Sequence, residues 1–190
     1  MTKDDIITLP NDHLRQKSVR VGVVTDDIRQ IVKDMETATL DWEASRAHEV
    51  GVALAAVQID KLFKIVVIRN NYDNKNDHSF TTLINPEITK NEGEMIEDFE
   101  GCLSIKDIYG KVPRYAKVRV KALDLDGKEF RINAEGFLAR ILQHEIDHTN
   151  GIVFIDHIKE ESDAFFHLKE DGKLEPIDYE TTIRASRILW

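Results

Sequence analysis

The strongest chemical signal in this sequence is the run His144-Glu145-Ile146-Asp147-His148. Residues four apart on an α-helix lie one above the other, so the two imidazoles can bind one metal ion. Glu145 lies just beside that line, where it can act as a general base on water held at the metal. The spacing therefore predicts a hydrolytic site with His144 and His148 as ligands of a divalent metal.

A catalytic metal usually has three protein ligands, so the sequence must supply a third. Phe154 stands where the metzincin spacing would have a further histidine, which argues against that class. Cys102 is the single cysteine, and its thiolate would be a strong ligand, although a buried cysteine without a role is the alternative. A gluzincin-type peptidase, with a downstream glutamate as third ligand, stays as a weaker alternative; its candidates are Glu160, Glu161, Glu170 and Glu175.

Two apolar residues precede the histidines on the same predicted helix face. Phe137 and Ile141 lie two turns and one turn before His144, so they are predicted either to wall an apolar pocket beside the metal or to be ordinary core residues. A lone histidine is more often a hydrogen-bonded structural residue than a ligand. We therefore assign no chemistry to the other five, which are His13, His48, His78, His157 and His167.

Two helices are predicted from apolar spacing and end signals. Thr25 can cap a helix whose length is limited only by Gly51, the first glycine available to stop it. Asn133 is predicted to cap the helix that carries the histidines, and Gly151 to end it. The first helix is identified by one apolar face, formed by Ile28, Ile31, Val32 and Met35.

Strands are predicted at residues 65–68 and 80–84, on either side of a polar loop at residues 70–79. Residues 118–125 and 128–132, joined by Asp126-Gly127, predict a β-hairpin. These elements predict an α+β fold in one domain, residues 1–190. In that fold, mixed β-sheets pack around a central metal-binding HExxH helix, with a long N-terminal helix.

Composition limits the classes of partner. The chain has 190 residues and a formal net charge of -9 at pH 7, which gives little support for binding nucleic acid or an anionic membrane. The first ten residues contain no apolar segment of the kind found in signal peptides or membrane anchors. A single cysteine fits a reducing compartment, so we expect a cytoplasmic location.

Three segments together resemble the peptide deformylase family. Its motifs, written GxGxAAxQ, EGCLS and HExDH, appear in order at residues 51–58, 100–104 and 144–148. The resemblance covers about residues 5–158 and leaves residues 159–190 as a divergent tail. It implies a hydrolase that removes the formyl group from the N-terminal formylmethionine of newly made proteins and releases formate. The implied partners are N-formylmethionyl peptides and nascent chains, with transient contact to the ribosome.

The resemblance also implies roles for individual residues. Cys102, His144 and His148 would bind Fe²⁺, which Zn²⁺, Ni²⁺ or Co²⁺ can replace. Gln58 and the backbone N–H of Leu103 would donate hydrogen bonds to the formyl oxygen, while Glu145 handles the proton of the attacking water. The implied substrate-binding residues are Val52, Ala53, Gly101, Phe137 and Ile141.

Three features depart from the family pattern. Ala53 replaces the second glycine of the first motif, so its methyl group projects where a substrate backbone is expected to pass. Tyr109 stands where many members carry an arginine that meets the peptide, and the tail lacks the basic helix of many bacterial members. The alternatives are therefore a related protein with altered or absent deformylase activity, or a peptide-binding module that holds metal without turnover.

Overall fold

The computed structural model describes residues 1–185 and contains an antiparallel β-sheet with two α-helices in that part of the chain. The helices are α1, Asp26–Ala44, and α2, Gly136–Thr149. The strands are β1 (Ala53–Ala55), β2 (Ile65–Arg69), β3 (Phe80–Cys102), β4 (Ile105–Leu123), β5 (Glu129–Glu135), β6 (Phe165–Leu168) and β7 (Leu174–Pro176). Short 3-10 turns occur at Lys3–Asp5, Asp12–Arg15, Ala56–Ile59, Phe154–His157 and Ser162–Ala164, and a π-helical turn at Tyr179–Arg184.

The strand order is β1-β2-β3-β4-β6-β7, and β5 pairs with β4 beside this path. Each pairing between these named strands is antiparallel. The parallel contact among the described residues is an isolated bridge between Val19 and Phe63. The expected mixture of strand directions is thus corrected to an antiparallel sheet. Within the described residues, no helix has the length and apolarity needed to cross a membrane.

Helix α1 begins where the sequence predicts. The Thr25 side chain accepts a hydrogen bond from the backbone N–H of Ile28, and the buried face includes Val32 and Met35. The helix ends at Ala44, seven residues before Gly51, so it is shorter than the sequence allows. The Gly51 N–H bonds the Glu43 carboxylate at 3.0 Å, which brings the chain after α1 back against the helix.

Strand β3 extends much further than predicted. It continues past the predicted end at Ile84, through Pro86, and ends at Cys102. The register with β4 shifts between Ile84 and Glu87, and Asn85 has a positive φ of 53°. Such a bulge accommodates a proline, which has no N–H to contribute to the ladder. Because β3 extends this far, Cys102 lies beside α2.

The predicted β-hairpin is confirmed, with β4 and β5 joined through Gly127 at φ 77°. The predicted Asn133 cap is wrong, because Asn133 lies within β5 and pairs with Arg119. Glu135 precedes α2 instead, without a side-chain capping bond. At the other end, Gly151 has φ 77° and follows the helix as predicted.

Strand β2 is buried on both faces and separates two apolar clusters. Val66 and Ile68 pack on the side of α2, whereas Ile65 and Val67 pack on the side of α1, as the alternation of a strand requires. A third cluster joins the end of β3 to the C-terminal segment through Phe165. The divergent tail therefore contributes to the core, although its residues 186–190 lie outside the described part of the chain.

Candidate metal centre

The structure brings together Cys102, His144 and His148. One potential ligand atom from each lies within 4.8 Å of the others, and Cys102 Sγ is 3.2 Å from His148 Nε2. Cys102 ends β3, while both histidines lie on the buried face of α2. Within residues 1–185, this group contains no glutamate, so none of the downstream candidates joins it; these were Glu160, Glu161, Glu170 and Glu175.

The chemistry of these donors fits a divalent transition metal. A thiolate and two imidazoles are soft and borderline ligands, which suit zinc or iron better than magnesium or calcium. His144 Nδ1 is 2.9 Å from Glu100 Oε2, which leaves Nε2 as the nitrogen available to a metal. Carboxylate contacts of this kind fix the orientation of a ligating histidine.

The two histidines have opposite pKa shifts. Burial, and then the charge of His144, lowers the pKa of His148 well below its usual range, so His148 is in the neutral form that binds metals. Burial opposes the charged form of His144 too, but its contacts with Cys102 and Glu100 outweigh burial and raise its pKa. A histidine binds a metal through a nitrogen that carries no proton, so Nε2 of His144 would bind in the deprotonated form.

Glu100 contacts His144, and no separate role was predicted for it from the sequence. Its buried carboxylate accepts hydrogen bonds from Arg114 Nε at 2.9 Å and from Arg140 Nη1 at 2.8 Å. Burial alone would raise the pKa of Glu100, but His144 and Arg114 lower it well below the ordinary range. The sequence offered one signal for this contact. Arg140 lies one turn before His144, on the same face of α2.

Arg140 also joins the helix to the β3–β4 hairpin. Its guanidinium donates to the carbonyl oxygens of Val112 at 2.7 Å, Ile96 at 2.7 Å and Asp98 at 3.3 Å. These bonds connect α2 to both strands of the β3–β4 hairpin, whose first strand ends at Cys102. The guanidinium thus fixes the two ligand-bearing elements relative to each other.

A second group of charges surrounds Asp147. Its carboxylate contacts Arg114, and His157 Nε2 is 2.7 Å from Asp147 Oδ2. His157 is therefore a hydrogen-bonded structural residue, which is the ordinary reading for a lone histidine. His13 likewise contacts Asp60.

Glu145 is buried beside the candidate ligands. Its Oε2 atom has no hydrogen-bond partner among the described residues. Burial raises the pKa of Glu145 to about 7. A carboxyl group with such a pKa can both accept and release a proton near neutral pH, which is what a general acid/base requires.

Gln58 approaches Cys102 from the 3-10 turn after β1. Its side-chain nitrogen donates to Ser104 Oγ at 3.1 Å and lies 3.5 Å from Cys102 Sγ. Its side-chain oxygen accepts from the Ala55 N–H at 2.9 Å. That bond turns the amide nitrogen toward the thiol and the adjacent cleft.

A cavity of about 280 Å³ lies beside these groups. Phe137 is 48% exposed and packs edge-to-face on Tyr72, with ring centroids 5.2 Å apart, so it forms the mouth of the cavity and not the core. Ile141 is 7% exposed and belongs to both the wall and the core. The other residues of the implied site that line the cavity are Val52, Ala53, Gln58, Gly101, Cys102, Leu103, His144 and Glu145.

Tyr109 and Glu49 also line the cavity, and no role was predicted for Glu49 from the sequence. The Tyr109 hydroxyl donates to Glu49 Oε1 at 2.9 Å. Burial and Glu49 raise the pKa of Tyr109, so the phenol stays protonated. A Cβ at Gly101 would lie 2.6 Å from the Tyr109 ring, so glycine is needed there for the ring to lie flat over the strand. His48 also lines this mouth.

Comparisons with known proteins give one consistent result. The profile of the family described as Polypeptide deformylase matches residues 3–164. The peptide deformylase of Thermomicrobium roseum is 46% identical over 160 residues, which are 83% of this chain and 86% of the relative. Peptide deformylase 2 of Clostridium acetobutylicum is 44% identical over 147 residues, covering 77% of this chain and 89% of the relative.

Solved structures show the same likeness. A peptide deformylase from Synechococcus elongatus in complex with actinonin superposes with a TM-score of 0.73 at 34% identity, covering 80% of this chain and 78% of that one. A peptide deformylase from Legionella pneumophila gives a TM-score of 0.70 at 39% identity, covering 80% and 83%.

Proposed function

The chain belongs to the polypeptide deformylase family and is a metal-dependent hydrolase that removes the N-formyl group from newly made proteins, and on that premise we propose how its residues perform the reaction. The reaction adds water to the formyl amide and yields formate and a free N-terminal amine. The observation that carries the proposal is the meeting of Cys102, His144 and His148 within 4.8 Å, with Glu145 lining the same cavity.

Cys102, His144 and His148 hold one divalent metal ion. Fe²⁺ is the proposed ion, with Zn²⁺, Ni²⁺ and Co²⁺ as replacements, and the thiolate with two imidazoles supports this group of metals. When bound, such an ion lowers the pKa of its water and polarises the formyl carbonyl. Glu100 keeps His144 oriented toward the ion through the contact at Nδ1.

Glu145 moves the proton. It accepts a proton from the attacking water and donates it to the amine that leaves when the formyl amide breaks. Its pKa of about 7 supports both halves of this exchange near neutral pH. Its burial beside the cavity also keeps bulk water from competing for the carboxylate.

Gln58 and Leu103 stabilise the formyl oxygen as negative charge develops on it. The Gln58 side-chain nitrogen lies near Cys102 because Ala55 holds the other end of the amide. Leu103 follows Cys102 directly in the chain and lines the same cavity, which supports its backbone N–H as the second donor. Fixed donors of this kind act without reorganising during the reaction.

The formylmethionyl unit occupies the cavity. Its side chain packs between Phe137 and Ile141, and its backbone passes Val52, Ala53 and Gly101. Among the described strands, β1 pairs with β2 alone, which leaves its other edge available for a peptide backbone. The 190 residues act as one catalytic domain, and contact with the ribosome is transient.

The direct test is formate release from formyl-Met-Ala-Ser by protein prepared without oxygen and loaded with Fe²⁺ or Ni²⁺. The same assay is run on Glu145→Ala, with metal content measured for both. We expect wild type to release formate, and Glu145→Ala to keep its metal while losing turnover by about 10²- to 10⁴-fold. Undiminished turnover in Glu145→Ala would contradict the proton role of Glu145.

A further inference from the structure

A buried ion pair that the proposed reaction does not use joins the end of α1 to the end of β2. Arg69 is the last residue of β2, and it pairs with Glu43 in the last turn of α1. The two side chains are 0% and 9% exposed, and neither residue is among the described residues that line the catalytic cavity. Desolvation offsets much of the attraction within a buried pair, so the clearest consequence of this one is the set of segments that its hydrogen bonds join.

Glu43 and Arg69 together hold the segment that leads into β1. The Glu43 oxygen that contacts Arg69, Oε2, also accepts a hydrogen bond from the Gly51 backbone N–H at 3.0 Å. The backbone N–H of Arg69 donates to the Val52 carbonyl oxygen at 2.8 Å. Val52 and Ala53 line the catalytic cavity, so these contacts fix the wall that the substrate backbone is proposed to pass.

The Arg69 guanidinium also holds a second wall, through the loop at residues 70–79. Two of its nitrogens donate to the Asp77 carbonyl oxygen, at 2.9 and 3.0 Å, so the loop closes around the guanidinium. Tyr72, in this loop, packs edge-to-face on Phe137. The ring of Phe137 forms the mouth of the catalytic cavity, so the contacts of one arginine reach a residue that is proposed to contact the methionine side chain.

We propose that Glu43 and Arg69 are positioning residues for substrate binding. The pair sets the place of Val52 through backbone contacts and the place of Phe137 through Tyr72. An arginine suits this role because its planar fork can bind a carboxylate and backbone carbonyls at the same time. The inference rests on the proposed function, since the walls that the pair positions are those assigned to the formylmethionyl unit. The pair should therefore affect substrate binding more than metal binding or the chemical step.

The test measures kcat and KM for formyl-Met-Ala-Ser with the Ni²⁺-loaded enzyme, together with metal content. Arg69→Lys keeps a positive charge beside Glu43 but loses the planar fork that reaches the loop. We expect KM to rise about 10-fold, less than the ~100-fold that a displacement of about 1 Å can cause, with kcat and metal content within about twofold of wild type. An unchanged KM would overturn the inference, and so would a loss of metal or a fall in kcat equal to the rise in KM.

Met35→Ala is the matched control for lost stability. Met35 is 0% exposed and lies on the same helix as Glu43, but it is not among the described residues that line the catalytic cavity. The control should lower the free energy of unfolding and leave KM unchanged. An equal rise of KM in Met35→Ala and Arg69→Lys would mean that KM follows stability alone, which overturns the assignment.

Tyr72→Ala tests the loop with both charges in place, and it serves if Arg69→Lys does not fold. The ratio of kcat/KM for formyl-Met-Ala-Ser to that for formyl-Ala-Ala-Ser should fall, because the alanine side chain does not reach the wall at Phe137. Tyr72→Phe keeps the ring against Phe137 and should restore the ratio. An unchanged ratio in Tyr72→Ala overturns the contact through the loop.

The outcomes separate this inference from the proposed function. Formate release by wild type, with unchanged KM in both Arg69→Lys and Tyr72→Ala, overturns the positioning role alone. No release of formate by metal-loaded wild type from either peptide overturns the proposed function and the positioning role with it.

Discussion

Two regions of the site combine arginine with carboxylates, but at different depths. Below the candidate ligands, Glu100 binds Arg114 and Arg140, and the Arg114 side chain is only 5% exposed. At the mouth, Arg46 binds Glu49 at 3.4 Å, and their side chains are 22% and 11% exposed. Removing one partner of a fully buried pair costs about 3–5 kcal/mol, and a pair closer to solvent costs less, because water screens its charges. We therefore expect the deep region to hold the candidate ligands in position, and the mouth to affect substrate affinity.

The largest effect is expected from a ligand in the deep region. Cys102→Ser replaces the thiolate with a much weaker ligand, so metal affinity should fall by at least about 100-fold, beyond the effect of losing an outer partner. Metal content after dialysis and formate release should fall together. A variant with full metal affinity would exclude Cys102 as a ligand and reopen the search for a third one.

Glu100→Gln should come next. The change keeps the shape of the side chain but removes the carboxylate that pairs with Arg140 and leaves Arg114 with Asp147 alone, at a cost of about 3–5 kcal/mol in the free energy of unfolding. Metal affinity should drop by about 10- to 100-fold, because His144 loses its orienting carboxylate. Urea unfolding and metal titration measure the two effects. Glu94→Gln, at an exposed residue, is the control. If both variants change stability and metal affinity equally, the deep region is no more sensitive to the loss of a carboxylate than the surface.

The decrease in the free energy of unfolding at acid pH should also depend on Glu100 in the deep region. The pKa of Glu100 is lower in the folded protein than its ordinary value of 4.5. Its contribution is therefore fully present above pH 4.5 and is lost as the pH falls toward the folded pKa. Metal-free wild type should lose stability below this pH more steeply than metal-free Glu100→Gln, as followed by urea unfolding at successive pH values. Parallel curves would mean that Glu100 is not responsible.

The smallest effect is expected at the mouth. Tyr109→Phe removes the hydroxyl that donates to Glu49 and leaves the ring over Gly101 in place. The loss should be below about 1.5 kcal/mol of stability, the range of a single hydrogen bond. Metal affinity should not change, and KM for formyl-Met-Ala should shift more than kcat. A loss of metal from Tyr109→Phe would show that the two regions are coupled.

Local signals in the sequence predicted much of this arrangement. The i, i+4 spacing located His144 and His148, the EGCLS segment supplied Cys102, and Asp-Gly located the β4–β5 hairpin. The Asn133 cap failed because pairing with β4 continued past it into the residues next to α2. A strand that continues by long-range pairing leaves little trace in the local pattern.

The features missed by the sequence depend on contacts between distant segments. Glu100 meets Arg140 across 40 residues, and the charge of Arg140 on an apolar helix face was the one local clue. The β6–β7 hairpin meets β4 through a short run of backbone pairs. Its sequence is charged and weakly patterned, so only the tertiary structure reveals that it extends the sheet.

The division of the ligand set between the end of β3 and α2 determines when the site can form during synthesis. Cys102 and His148 are separated by 46 residues, and β4 and β5 lie between them. A growing chain that has released Cys102 still lacks both histidines, so it offers a single thiol and no chelating group. Closing a loop of this length costs chain entropy, and pairing within the β4–β5 hairpin reduces that cost by shortening the open part of the loop. The candidate ligand group is therefore complete only in a chain that has been released at least through α2.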